Sequence, residues 1–465
     1  MDLTVDGTLP SALNGAYVRN GPNPQHMPVG GHHWFDGDGM LHTVRIKKGK
    51  ASYSNAYVQT SRYKQEKNAR RPLSLKLGGM VGGLGVIHYI VYKLRERWGL
   101  FKTKDGTGPG NTALAFHNKQ LLALVETDLP YIVRVNDNSH TETLERQTYG
   151  GNLAPRFTAH PKIDPATGTL YGFGYNLSKP ELHYFAISSG GMVKEDFKVT
   201  LQQPTMQHDF AMTEDYVIFL DFPLVSNPEN MKRGLPMLMF DRERSSRIGV
   251  LRKDTSSELG IRWFKLPAMY AYHVANAWQE RGNNGWIRIR IFLCVYDDSF
   301  SIQSTTSSTL ARMSEITIEL ERDECSVRSL ADELRCEFPV VPDRLVGRRT
   351  RYTYAVAFEK EAGHLGQAAG LVKFDLGSPD KSVAAMLRFG SGRTGEDDGY
   401  LVLFMYNERT NSSDFVVYDA RTFSNKPVAV VSLPQRVPYG FHGKHINAAQ
   451  FQSQFPFDIH FLPDI

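Results

Sequence analysis

Residues Gly285–Asp297 read GWIRIRIFLCVYD, a run of branched and aromatic side chains entered from the turn-like stretch RGNN. A β-rich run bounded by turn residues predicts a buried strand. Working outward, the same kind of segment recurs at Leu41–Ile46, Lys119–Glu126, Thr169–Asn176, Asp215–Asp221, Tyr352–Glu359 and Gly399–Asn407. From the second run onward the starts are separated by 50, 46, 70, 67 and 47 residues. Seven such runs with weaker strands between them predict an all-β, seven-bladed β-propeller of four-stranded blades. A large β-sandwich or a pair of barrels would show similar strands without a regular interval.

Composition agrees with a turn-rich fold, since 40 glycines and 24 prolines fall in short punctuating clusters. A net charge of +5 on 465 residues is too small a bias to argue for nucleic acid. Three cysteines without a Cys-x-x-Cys pair argue against a disulfide framework and for a reducing compartment. The first residues, MDLTVDG, carry no signal or transit pattern. No linker or low-complexity tract divides the chain, so residues 1–465 are expected to form a single domain. One stretch breaks the strand pattern. Within residues 61–101, Met80, Leu84, Ile87, Val91 and Leu94 follow helical spacing and Lys93, Arg95 and Arg97 follow them. The apolar part is too short to span a bilayer, so this is an amphipathic helix, either facing the core or lying at a membrane surface.

Four of the 15 histidines stand out by position. His160, His208 and His273 lie nine, seven and twelve residues ahead of three successive strand runs, each at the start of a short strand. Equivalent positions on the innermost strands of a propeller converge on its axis. Three imidazoles at one axis make a metal site, and imidazole suits Fe, Zn, Cu and Ni. His442, in PYGFHGKH, is the natural fourth, where the chain closes the ring. Four neutral imidazoles leave the full charge on the ion, and six-coordinate iron so held keeps two open positions. Ligating imidazoles usually donate their other N–H to a carboxylate or carbonyl. Glu126 and Glu315 are carboxylates in otherwise apolar strand contexts, so each either has a strong donor partner or ends a strand at the surface.

These segments resemble the carotenoid cleavage dioxygenases, a family of non-haem iron oxygenases, and most of all its plant-type and 9-cis-epoxycarotenoid dioxygenase-like members. The resemblance rests on YVRNGPNP (Tyr17–Pro24), FDGDGM (Phe35–Met40), LVETDLPY (Leu124–Tyr131), TAHPKIDP (Thr158–Pro165), HDFAMT (His208–Thr213), HVANAW (His273–Trp278), GEDDGY (Gly395–Tyr400) and PYGFHG (Pro438–Gly443). It implies a seven-bladed propeller with a helical cap inserted after the first blade. It puts His160, His208, His273 and His442 on the ligands of an Fe(2+) cofactor. Glu126 and Glu315 fall on two of the three glutamates that hold those ligands, and Phe441, Tyr272 and Ile316 on the apolar substrate tunnel. It further implies oxidative cleavage of a carotenoid or apocarotenoid by O2, of the 9,10 type, by a peripheral membrane monomer that collects its substrate through the 61–101 insertion. A photosynthetic source would place the protein on a plastid membrane surface, and any other source in the cytoplasm. One departure stands out. The family's third glutamate lies in a Gly-Gly-Glu-Pro strand ahead of GEDDGY, and the stretch Phe389–Glu396 here omits that strand. The alternative reading is therefore a carotenoid-binding propeller with impaired turnover, and an iron isomerohydrolase of the retinoid type is a third.

Overall fold

The computed structural model of the chain describes residues 2–151, 153, 156–296, 311–358, 368–378, 382–388 and 399–454. Within them lie seven four-stranded antiparallel sheets, arranged as the blades of a propeller, and one small two-stranded sheet. Taken from the axis outward, blade 2 runs Ala113–His117, Gln120–Leu124, Tyr131–Val135 and Thr141–Arg146. Blades 3 to 6 repeat this order, and their innermost strands are Lys162–Ile163, Ala211–Met212, Tyr270–Arg281 and Arg335–Val340.

In blades 2 to 6 the apolar run read from the sequence is the second strand, enclosed on both edges. Leu170–Tyr175 and Tyr216–Asp221 are buried at every position. Burial on both faces explains why these runs are continuously apolar rather than alternating. The large central cluster spans blades 3 to 6 and includes Phe173, Phe210, Phe219, Trp278 and Phe292.

The two ends of the chain close the ring. Val5–Gly7 pairs with Ala429–Ser432 at the outside of blade 7, and Gly443–Asn447 pairs with Gly15–Asn23 as the innermost strand of blade 1. Gly443 permits that pairing, because a Cβ there would lie 2.2 Å from the Tyr17 hydroxyl.

Blade 7 is built differently. Its run Tyr400–Asn407 is the innermost of its four strands, paired only with Ser412–Asp419 among the described residues. Seven of its eight residues are half-buried and none is buried. The ring still has four strands here because Val5–Gly7 fills the outer place. Of GEDDGY only Gly399 and Tyr400 are described, and the departure at Phe389–Glu396 lies outside the described residues.

Helices Ser61–Ala69 and Gly82–Arg97 are inserted between blade 1 and blade 2. The second has Leu84 at 66% and Ile87 at 55% exposure, with Ile90, Val91, Leu94, Trp98 and Leu100 also exposed. Its apolar stripe therefore faces away from the core, which removes the core-facing reading. No described helix is long and apolar enough to cross a membrane.

Candidate metal centre

The four histidines come from blades 1, 3, 4 and 5, each at the same end of an innermost strand. His160 lies two residues before Lys162–Ile163, His208 three before Ala211–Met212, and His442 one before Gly443–Asn447. His273 is inside the longer strand Tyr270–Arg281, where the ladder to the neighbouring strand slips between Ala271 and Val274. That bulge turns its ring toward the axis, as bulges commonly do beside functional sites.

The four rings meet. Nε2 of His160 is 3.0 Å from that of His208, His208 is 3.2 Å from His273, and His273 is 3.1 Å from His442. The ring centroids of His160 and His442 are 4.7 Å apart.

Two of the rings are held by carboxylates. Oε1 of Glu126 faces Nδ1 of His208, and Oε2 of Glu126 accepts the Tyr175 hydroxyl at 2.5 Å. Oε2 of Glu337 is 2.5 Å from Nδ1 of His273, and its Oε1 accepts the Tyr296 hydroxyl at 3.1 Å. A carboxylate on Nδ1 fixes the proton there and leaves Nε2 a bare lone pair. Two such lone pairs 3.2 Å apart repel one another unless a cation lies between them. Nitrogens at right angles around an ion about 2.1 Å from each would stand about 3.0 Å apart. The donor set thus fits a metal ion with further positions left open.

Electrostatics agree. Burial, and then the neighbouring imidazoles, hold His160, His273 and His442 well below the ordinary histidine pKa, so these rings are neutral and able to donate to a metal ion. Burial works against charge on His208 as well, but the Glu126 carboxylate outweighs it and raises this group. Burial also pushes the Glu337 carboxyl up to about 7, against the pull of the Phe338 N–H and the Tyr296 hydroxyl.

Glu337 was not foreseen from the sequence, and Glu315 does not take the place expected of it. Glu315 is bound by Arg290 and Arg328, which sit on the flanking strands of its own blade. A buried carboxylate needs such donors, and here cross-strand arginines supply them. Ile316, on the opposite face of that strand, is fully buried in the core across from Ile291 and Val327. Tyr272 and Phe441 belong to a chain of aromatic rings beside the histidines. Tyr272 stands edge-on to His208 at 5.1 Å, and Phe35 joins Tyr272 (6.2 Å) to Phe441 (5.6 Å). Trp34 extends this aromatic path from Phe441 at 5.2 Å. The next residue, Asp36, accepts the N–H groups of Leu77 and Gly78 just ahead of the exposed helix.

Phe338 adds one more wall. Its ring lies 5.3 Å from His273 and 5.5 Å from His442, and its φ of 56° puts an aromatic residue in the left-handed region. That conformation costs about 1–3 kcal/mol and lets Glu337 and Phe338 both turn toward the centre. A separate cavity of about 270 Å³ lies among Trp278, Arg290, Arg351 and Asp375. It shares no residue with the centre and its charged lining does not suit a polyene.

Comparison with known proteins agrees with the geometry. The family described as RPE65, retinal pigment epithelial membrane protein, matches residues 1–447. Carotenoid 9,10(9',10')-cleavage dioxygenase 1 of Pisum sativum is 38% identical over 98% of this chain and 88% of its own. The chloroplastic 9-cis-epoxycarotenoid dioxygenase NCED6 of Arabidopsis thaliana is 34% identical over 97% of this chain and 80% of its own. Among solved structures, lignostilbene dioxygenase of Pseudomonas brassicacearum superposes with a TM-score of 0.79 at 27% identity, covering 95% of this chain and 94% of that one. The fold is that of a propeller oxygenase. The chain belongs to the carotenoid oxygenase family, and by class it is a carotenoid cleavage dioxygenase.

Proposed function

We infer that the protein is an Fe(II)-dependent dioxygenase that cleaves one conjugated double bond of a carotenoid or apocarotenoid, of the 9,10 type. The alkene and O2 are consumed together, each alkene carbon takes one oxygen atom, and two carbonyl products leave. The observation that carries this reading is the convergence of four Nε2 atoms, two of them on rings whose Nδ1 faces a carboxylate, Glu126 or Glu337. Iron bound there would supply the activation of O2. His160, His208, His273 and His442 would hold the ion, and Glu126 and Glu337 fix the ring orientations. Tyr272, Phe35, Phe441 and Trp34 give a polyene an apolar track beside the histidines and place one double bond there, a proximity effect. No side chain is needed as a general base, since no proton moves in the overall reaction.

To test it, the purified protein is loaded with Fe(II) without oxygen, then given a carotenoid in micelles and 18O-labelled O2. The expected result is two aldehydes or ketones, each carrying one labelled atom. Absence of product across β-carotene, zeaxanthin, epoxy-xanthophylls and apocarotenals at full iron occupancy overturns the reading. The named relatives support the carotenoid class and the 9,10 position, and the chloroplastic name of one agrees with a plastid.

The exposed stripe Leu84, Ile87, Ile90, Val91, Leu94 and Trp98, beside Lys93, Arg95 and Arg97, supports attachment to a membrane surface. Replacing Leu84, Ile87 and Val91 by Ser should abolish liposome binding and spare cleavage of micellar substrate. A second reading, carotenoid binding without turnover, draws on blade 7, which brings neither a histidine nor a carboxylate to the centre among the described residues. Metal analysis of freshly purified protein separates the two, because that reading predicts poor iron retention.

A further inference from the structure

An ion pair between a buried aspartate and a half-buried lysine lies among the sequence neighbours of three of the four histidines. Asp209 follows His208, and its side chain is 2% exposed. Its Oδ1 is 2.7 Å from Nζ of Lys162, which lies two residues past His160. Its Oδ2 accepts the N–H of Val274, the residue after His273, at 2.8 Å. The N–H of Phe210 completes the set on Oδ1 at 2.8 Å. One carboxylate thus touches the beginnings of three innermost strands belonging to three different blades. Among the described residues no backbone ladder between blades does this, since each blade pairs only within itself.

We propose that Asp209 is a positioning residue: with Lys162 it forms a strut that sets the spacing of His160, His208 and His273, and so the geometry and affinity of the metal centre. The proposal rests on the reading of these histidines as metal ligands. The physical argument is one of reach. Each imidazole has only two side-chain torsions, so the Nε2 separations are set mainly by where the three backbone segments stand. Hydrogen bonds to a charged group are the stronger and shorter kind. Here two of the three segments are fastened to the same anion by one bond each, and the third carries the anion.

The test uses Co(II) as the probe ion, with the whole chain. Asp209→Asn and Lys162→Met are compared with the wild type for Co(II) affinity by competition with a chelator, for the visible absorption bands of bound Co(II), and for the melting temperature of the metal-free protein. Loss of a partner that holds a ligand costs about 10–100-fold in metal affinity, and a strut one residue removed is expected at the lower end, about tenfold. The Co(II) bands should shift in both variants. The double variant should lose little more than either single one, because the two side chains act as a unit. Lys162→Met keeps the carboxylate and both of its N–H donors, so it carries the test if Asp209→Asn does not fold. A lower melting temperature with wild-type affinity and bands overturns the proposal, marking an ion pair that serves stability alone. If the wild type takes up neither Co(II) nor Fe(II), the metal reading itself fails, and the strut with it.

Discussion

His273 and His442 face one another across 3.1 Å, yet the protein holds them by different means. His273 is gripped through its ring by Glu337, Glu337 is in turn gripped by Tyr296, and the next residue, Val274, is tied to Asp209. His208 is held likewise, through Glu126 and Tyr175. His442 is held through its main chain: its carbonyl accepts the Asn20 N–H at 2.9 Å and its N–H reaches Thr112 at 3.3 Å. Its ring meets Phe338 and the other imidazoles. The carboxylate-held rings come from blades 4 and 5. The ring held by main chain lies in blade 1, next to blade 7, whose half-buried run is the innermost of its four strands among the described residues. The lesson is that one cluster of rings can be oriented by two different means, carboxylates for His208 and His273 and the main chain for His442.

The largest test of this contrast is His273→Ala, which should remove both metal retention and cleavage. His442→Ala should do the same, since coordination itself does not depend on how each ring is held. Next come Glu126→Gln and Glu337→Gln, each expected to cost about 10–100-fold in metal affinity or kcat/KM, measured by chelator competition and steady-state kinetics. Equal affinity in these variants would show the two carboxylates to be idle.

The seam between blades 1 and 7 has its own pH signature. His42, packed edge-on to Phe404 and bonded to Tyr53, is held by burial at about 3. Its folded pKa lies below the unfolded one, so the unfolded chain binds the extra proton and stability falls as pH drops below about 6.5. The loss between pH 6.5 and 5 should reach about 2 kcal/mol. Denaturant melts of the wild type and of His42→Gln check it, and the variant should lack this slope. The smallest effect is expected for Tyr175→Phe and Tyr296→Phe. Each removes one hydrogen bond of about 1 kcal/mol, which is roughly fivefold in metal affinity.

Much of this was legible in the sequence. The seven runs map onto strands of the seven blades, and the similar offsets of three histidines, seven to twelve residues ahead of their runs, mark the axial ends of three innermost strands. Glu337 was legible by the same rule and was passed over. It lies 15 residues before Tyr352, in the innermost strand of blade 6, in nearly the register of the histidines. The resemblance assigned its role to Glu315 instead, and that error had a physical cause. Whether a buried carboxylate answers a histidine or an arginine depends on cross-strand register, and Arg290 and Arg328 become its neighbours only once three strands are paired. Register also decides that Ile316 packs into the core.

Gly443–Asn447 is at once the last strand of the ring and the continuation of His442. A residue so placed works like the catch on a clasp. An ion gripped by the four imidazoles would also pin strand Gly443–Asn447 against Gly15–Asn23. Emptying such a centre should therefore loosen that strand first.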